Sequence, residues 1–444
     1  MNSWIRRDLK NIWHPYTQMK DCRKFPPILI DRARGIRLYD SDGNSYYDTI
    51  SSWWCNVHGH NHPVIKRAVT KQLNKLEHVL FAGFTHKSAI ELAEQLVAIA
   101  PKGLTKVFFS DNGSTAVETA LKISYQYWKN IGRRKKSSFV CLDHGYHGDT
   151  IGSMSVSGVG LFNKVFKGLF FDSYKVPSPY CYRCPMGKER SSCSIECARP
   201  LEKLLKKRHG SIAALIIEPM IMAAGGMITY PSGYLRAVRR LTKRYGVHLI
   251  CDEVATGFGR TGRMFACEHA GVAPDLLCLS KGITAGYLPM GATLAREAIY
   301  RAFYADLEKN KTFYHGHTFT ANPLACSAAL ASLSVFRKEK TLQRMKELIP
   351  IFRDGLESMR GLRHVGDVRS IGLIGALELV KDKATKEPFG ISERLGMKIY
   401  RKGLKKGLIL RPLGNIVYLF LPLCVKKSEL KYILESTRSI IAEI

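Results

Sequence analysis

The sequence predicts an α/β fold built on a mostly parallel sheet, and three observations lead there. Apolar runs of four or five residues recur through the middle of the chain. Helix-period stretches lie between several of them. Four of the runs are followed at once by glycine-rich or charged residues, as happens where a buried strand reaches the edge of its sheet. Strands covered on both faces read as continuous apolar runs, and alternation with helices makes such strands parallel.

Taken in order, residues 28–50 hold the strand-like runs Ile28-Leu-Ile and Gly35-Ile-Arg-Leu-Tyr39, with a turn at Ser41-Asp-Gly-Asn44. Lys106–Ser110 is the first buried strand, followed by a helix from Thr115 to about Asn130 whose positions Ala116, Val117, Ala120, Leu121, Tyr127 and Trp128 keep helical spacing. Strands are expected at 138–142, 213–217, 247–251, 276–279 and 291–294, with a helix over 233–245. Residues 340–444 mix helices with short strands such as Ile416–Phe420.

A chain of 444 residues exceeds one small core. The expected partition is a large domain over 55–324 and a smaller α+β domain assembled from 1–54 and 325–444, with a cysteine-rich insertion at about 178–200. No apolar run is long enough to span a bilayer, and the opening segment MNSWIRRDLKNIWHP does not resemble a signal peptide, so a cytoplasmic location is expected. The net charge of +31 raises the question of nucleic acid. The basic residues are scattered, however, and no recognition motif accompanies them; clusters such as Arg133–Lys136 read as solvated helix ends, and no nucleic-acid partner is expected.

Ligands of open α/β sheets sit beyond the carboxyl ends of the strands, so the residues just after each strand are the ones to read. Asn112-Gly113-Ser114 opens a helix, where free N–H groups can hold an anion such as phosphate, although Ser114 reads equally well as a plain N-cap. Tyr146, between Gly145 and Gly148, can stack on a planar ring or simply pack in a turn. Asp252 is delivered to a strand tip, where a carboxylate needs a partner: a protonated pyridine nitrogen or a structural salt bridge. Lys281 follows the strand 276–279, a position suited to amine nucleophile chemistry or to a side chain reaching solvent. Together these four suit pyridoxal phosphate better than other cofactors.

The stretch Cys251-Asp-Glu-Val-Ala-Thr-Gly-Phe-Gly-Arg-Thr-Gly262, with Lys281 downstream, resembles the class III aminotransferases of pyridoxal-phosphate fold type I, and the likeness covers nearly the whole chain. Trp13–Thr17, Ser51–Trp54, Gly145–Thr150, His315–Phe319 and Asn322–Cys326 resemble the biotin-pathway branch of that class. The resemblance implies transfer of an amino group from S-adenosylmethionine to 8-amino-7-oxononanoate, giving 7,8-diaminononanoate. It leaves open lysine as donor, or another class III ω-aminotransferase reaction. It implies that Lys281 bonds the cofactor and moves the proton, and that Asp252 pairs with the ring nitrogen. By the same likeness Tyr146 stacks near the ring and faces substrate, while Gly113, Ser114 and Thr318 hold the phosphate. Thr318 is expected from the partner subunit of a homodimer with shared active sites, beside His317, where relatives are expected to carry proline. Tyr16, Trp53, Gly316 and Arg411 would line the substrate cavity, Arg411 holding a carboxylate. Arg260, Asp149 and Glu218 are secondary candidates, with a structural role as the alternative.

Four of the twelve cysteines crowd into one short segment, Cys181-Tyr-Arg-Cys184 and Cys193-Ser-Ile-Glu-Cys197. This spacing suits a structural zinc held by thiolates better than an iron–sulfur cluster, with free thiols or two disulfides in a surface insertion as the alternative, and the family resemblance says nothing about it.

Overall fold

The computed structural model describes residues 2–444. Its centre is a seven-stranded sheet: β1 (Leu104–Ser110), β2 (Ser138–Leu142), β3 (Ser173–Val176), β4 (Ile212–Ile217), β5 (His248–Asp252), β6 (Leu276–Leu279) and β7 (Gly291–Arg296). The spatial order is β1-β7-β6-β5-β4-β2-β3. Only β7 runs against its neighbours; the β6–β5, β5–β4, β4–β2 and β2–β3 pairs are parallel. The six strands expected in this sheet all form: three are longer by one or two residues, two keep their bounds and one is shifted by a residue, while β3 was not expected.

Both faces of the sheet are covered, which is why its strands read as unbroken apolar runs. On one face Phe139, Ile216, Ile250 and Cys278 meet Ala116, Val117 and Ala120 of the helix Gly113–Asn130. On the other, Leu215, Leu249, Cys251 and Leu277 belong to the larger core with Tyr234, Leu235, Val238 and Leu241 of the helix Ser232–Arg244. Residues from both ends of the chain join beside this sheet. The strands Ile30–Arg34, Arg37–Asp40 and Ser45–Tyr47 form a small antiparallel sheet. Tyr47 N–H donates to Gly407 O (2.7 Å) and Phe420 N–H to Thr49 O (2.7 Å). Val365–Ile371, Ile374–Asp382 and Ile416–Phe420 form a second antiparallel sheet.

Two local expectations need correcting. The helix after β1 is capped by Asn112, not Ser114: the Asn112 side chain accepts from Thr115 N–H (3.0 Å) while Thr115 Oγ1 accepts from Asn112 N–H (3.0 Å), a reciprocal capping box. Lys136 is not a solvated helix end. It is buried, and its ammonium donates to the carbonyls of His209, Ile212 and Gly246 at 2.7–2.9 Å. Among the described residues no helix is long and apolar enough to cross a membrane.

Because β7 runs antiparallel, its first residue, Gly291, lies opposite Ser110 at the carboxyl edge of β1. A Cβ there would stand 2.2 Å from Asn112 O and 2.6 Å from Ser110 Oγ. Gly291→Ala is therefore expected to displace the Asn112 cap and to destabilise the fold by about 1–3 kcal/mol. Urea unfolding measures this, and an unchanged midpoint would show that the strand end yields freely.

Candidate active site

Parallel strands place their carboxyl ends on one edge, and four chemistry-bearing loops meet there. The cavity at this edge has a volume of about 560 Å³ and is lined by Gly113, Ser114, Tyr146, Asp149, Asp252 and Lys281 among others. Asn112 already satisfies the N–H groups of Thr115 and Ala116, so Gly113 and Ser114 carry the N–H groups left at this helix end. Gly113 is needed for packing as well: a Cβ there would lie 2.6 Å from Val254 Cγ1. Gly148 has φ +119°, and a Cβ on it would lie 2.2 Å from Ser114 Oγ.

Asp252, buried at the tip of β5, accepts from His147 Nδ1 (2.7 Å) and from Val254 N–H (3.0 Å). His147 Nε2 is buried with no hydrogen-bond partner. Lys281 follows β6 and adopts φ +46°, a left-handed backbone that turns its side chain into the cavity, with Nζ 4.7 Å from the centre of the Trp54 ring. Burial pulls the Lys281 amine pKa down, against the opposing pull of Asp252 and Glu218. Glu218, at the end of β4, accepts from the N–H groups of Tyr146 (3.0 Å) and Ala223 (2.9 Å). Burial pushes its pKa up to about 7.

An aromatic wall continues outward from this floor. Tyr16 Oη donates to Asp149 (2.7 Å) and lies 3.3 Å from Tyr146 Oη. Burial, then the Asp149 carboxylate, lifts its pKa to about 12. The Tyr16 ring stands edge-on to Trp53 with centroids 5.6 Å apart, and the Arg411 guanidinium lies 4.5 Å over the Trp53 ring.

The two tryptophans are held by an unusual backbone. Ser51, Ser52, Trp53 and Trp54 have φ of 50°, 45°, 70° and 73°, one turn of left-handed helix without a glycine. Such a conformation costs roughly 1–2 kcal/mol per residue. The surroundings hold it in place. Asp48 accepts from Ser52 N–H (2.8 Å) and Ser52 Oγ (2.7 Å). Buried Arg260 donates to Ser51 Oγ, Leu421 O, Trp54 O and Asn56 O at 2.9–3.0 Å. Burial draws the Arg260 pKa down to about 10.

Lys281, Asp252, Tyr146, Gly113 and Ser114 thus meet at one cavity; Tyr16, Trp53 and Arg411 do not line it but are joined to it in succession through the Tyr16 contacts with Tyr146 and Asp149. Gly316, His317 and Thr318 do not reach it within one chain: Gly316 and Thr318 are exposed, and His317 turns to Asp111, 3.4 Å away. Reading the sequence missed His147, Trp54 and Glu218's grip on the Tyr146 backbone. His147 lay inside the quoted motif, but nothing in the sequence shows which way its ring points.

The full chain matches known proteins closely. The model of the aminotransferase class-III family matches residues 18–441. The chain belongs to the class-III aminotransferases. The adenosylmethionine-8-amino-7-oxononanoate aminotransferase of Aquifex aeolicus is 47% identical over 438 residues, 98% of this chain and 96% of that one. The crystal structure of the enzyme of the same name from Methanocaldococcus jannaschii superposes with a TM-score of 0.95 at 42% identity, covering 99% of this chain and 98% of that one. An omega transaminase from Pseudomonas jessenii in complex with PMP gives the same TM-score at 31% identity, covering 100% of this chain and 98% of that one. This class-III enzyme is a pyridoxal-phosphate-dependent transferase of fold type I. Its residues fit the cofactor: an amine inside the cavity, a helix end for the phosphate, a buried carboxylate for the ring nitrogen, and an orphaned imidazole nitrogen behind it.

The zinc expectation is not supported. Cys181, Cys184, Cys193 and Cys197 border one cavity of about 20 Å³, but among the described residues no three His, Cys, Asp or Glu side chains are placed to hold a metal ion. Cys193 Sγ donates to Glu196 (3.2 Å), and burial lifts the Cys197 pKa to about 12, the other three cysteines adding to the rise.

Glu218 and Glu253 are both buried with pKa values pushed up to about 7 by burial. Each keeps its proton in the fold at pH values where the unfolded chain has lost it. The stability this confers is complete below the ordinary carboxyl range and is lost as pH rises through about 7. Buried His58 and His248, drawn down to about 3 and about 4, act in the opposite sense, so the test is a comparison of proteins that share them. The stability of wild type relative to Glu218→Gln is expected to fall from pH 5 to pH 8, by on the order of 3 kcal/mol. Chemical unfolding of the apoproteins across that range measures it, and a constant difference would place the Glu218 pKa outside the window.

Proposed function

We propose that this aminotransferase moves an amino group from S-adenosylmethionine to 8-amino-7-oxononanoate, giving 7,8-diaminononanoate. The observation that carries this reading is the Lys281 amine in the cavity together with a wall of successive contacts, Tyr146 to Tyr16 to Trp53, that leads from the cavity lining to the Arg411 guanidinium on the Trp53 ring. That wall suits an acceptor with a ketone at one end of an apolar chain and a carboxylate at the other. The likeness to relatives of that name at 42–47% identity supports the same substrate.

Pyridoxal phosphate, when bound, supplies an electron sink for the bonds at the substrate's amine-bearing carbon. The chain's residues supply the rest. The Lys281 amine, whose pKa burial lowers, is the nucleophile of the cavity and carries the proton to and from that carbon. Asp252, fixed by His147, would hold a proton on the ring nitrogen. The Gly113 and Ser114 N–H groups at the helix end would hold the phosphate. Tyr146, anchored by Glu218 through its backbone and by Asp149 through its hydroxyl, would cover the ring.

The site is completed by a second copy in this reading. The stretch Gly316–Thr318 is turned away from its own cavity, and the large apolar side chains Leu161, Val165, Leu307 and Tyr314 stand exposed, as an interface between two copies requires. Thr318 would then serve the partner's phosphate. The large domain is assigned to 55–324 and the small one to 1–54 with 325–444.

The test is a visible spectrum of the cofactor-loaded protein. S-adenosylmethionine is expected to abolish the absorption of the lysine-bound cofactor, and 8-amino-7-oxononanoate to restore it. A response to lysine alone changes the donor. A response only to other ω-amines, as for the Pseudomonas jessenii relative's class, replaces the substrate. Lys281→Ala is expected to show neither absorption nor turnover, and Asp252→Asn to lose at least about a hundredfold in kcat; turnover by Lys281→Ala would remove that residue from the chemistry.

A further inference from the structure

We propose that the left-handed turn Ser51–Trp54 is a specificity-determining element of this site, and that Asp48, which does not line the cavity, is the positioning residue that holds it. The inference rests on the reading of the cavity as the amino-transfer site.

Four successive left-handed residues, two of them tryptophan, persist only where the surroundings over-determine them. What the turn achieves is a division of labour between adjacent indoles. Trp54 is directed inward: it is buried, stacks on Phe420 with centroids 5.5 Å apart, and lies under the Lys281 amine. Trp53 is directed outward: it is exposed, meets Tyr16 edge-on and carries Arg411 on its face. The direction of Trp53 therefore sets the position of the guanidinium relative to the amine, which is the span a substrate must bridge.

Asp48 is fully buried, and its carboxylate is divided among three donors. Oδ1 accepts from Ser52 N–H at 2.8 Å, and Oδ2 accepts from Ser52 Oγ at 2.7 Å and from His60 Nε2 at 2.9 Å. His60 is fixed through its backbone, which pairs with Gly35 in both directions. Ser52 itself is exposed; its side chain bonds only Asp48, and its carbonyl accepts from Cys55 Sγ (3.1 Å), a backbone bond that a substitution at 52 leaves available. Arg260 grips the ends of the turn, at Ser51 and Trp54, while Asp48 grips its middle through Ser52 N–H and Oγ, with Cys55 Sγ donating to Ser52 O.

Ser52 permits a test that leaves the packing alone. Ser52→Gly loses the hydroxyl but is indifferent to backbone hand, whereas Ser52→Val loses the same hydroxyl and strongly disfavours a positive φ. With the cofactor-loaded enzyme, Ser52→Val is expected to raise KM for the carboxylate-bearing acceptor about tenfold, Ser52→Gly at most about threefold, and kcat to change little in either. Asp48→Asn is expected to follow Ser52→Val. Near-ultraviolet circular dichroism of the tryptophans reads the turn without any substrate, and the same two variants should lose signal there. If the dichroism changes but no variant shifts KM, the turn does not set specificity. If Ser52→Val and Ser52→Gly behave alike in both measurements, or if cofactor affinity falls as steeply as KM rises, the proposal is overturned. Failure of wild type to use the oxononanoate acceptor would instead count against the substrate reading, while the dichroism would still report on the turn.

Discussion

Charge balance at the cavity floor constrains everything around it. Lys281, Asp252, His147 and Glu218 are ionisable groups crowded at one sheet edge, the last three of them buried. Any of them alone would be costly to bury as an ion. They are tolerable together because they interact: Asp252 and Glu218 favour the charged Lys281 amine, and burial favours the protonated form of Glu218. The Lys281 amine is lowered by burial and supported by Asp252 and Glu218; Glu218 is raised by burial and restrained by His147. The remaining polar demand is met by backbone: Val254 N–H on Asp252, and Tyr146 and Ala223 N–H on Glu218. One nitrogen, His147 Nε2, is left without a partner. The same bonds fix the loops that carry Tyr146 and Val254, so the electrostatics of the floor and the geometry of its walls are one arrangement.

The sheet makes that arrangement possible, and the sheet was largely legible in the sequence. Runs such as Ala213–Ile217 and Leu276–Leu279 are apolar at every position because helices cover both faces, and no other context favours that pattern. Once the strands were placed, parallel pairing required their ends to share an edge, and Asp252 and Lys281 followed. Local chemistry was less legible. Asn112 and Ser114 both suit a helix start, and only the reciprocal bonds with Thr115 decide between them. Contacts between distant residues left no local trace: nothing near Lys136 announces the carbonyls of His209, Ile212 and Gly246, which lie far along the chain. The left-handed hand of Ser51–Trp54 was equally hidden, since neither serine nor tryptophan signals a positive φ.

That turn illustrates why a functional site resists local reading. Sequence propensity describes what a residue prefers, and the site asks for what it does not. Lys281 shares the feature, with φ +46° between β6 and the following turn. At Ser51–Trp54 the preference is overridden by long-range bonds: Arg260 to Leu421 and Asn56, and Ser51 to Phe420 O (2.6 Å). These bonds tie the N-terminal and C-terminal segments to the β5–β6 edge. The stability of a broad core is thus spent locally on aiming two indoles and an amine.

The cysteine-rich segment carries the same lesson in reverse. Its spacing suggested a metal as the device that fastens a long loop, yet the structure fastens it with charge. Tyr180 donates to Glu378, Arg183 bonds the other oxygen at 2.8 Å, and buried Arg369 bridges Glu378 (2.6 Å) to Asp367 (2.9 Å). Burial alone would raise the Glu378 pKa, but Arg369, Tyr180 and Arg183 together hold it below the ordinary carboxyl range. Two guanidiniums and two carboxylates compensate one another there, so each ion is paired within the low-dielectric interior, which is the condition under which a buried ion network holds. The network also reaches Gly226 O and Met227 O through Arg369, linking the loop to the segment that follows β4 and Glu218. A thiolate cluster is unnecessary where the segment's own tyrosine and arginine already reach a buried carboxylate. Of these four cysteines only Cys197 is buried, its pKa pushed up to about 12; Cys181, Cys184 and Cys193 are half-buried beside it around one small cavity.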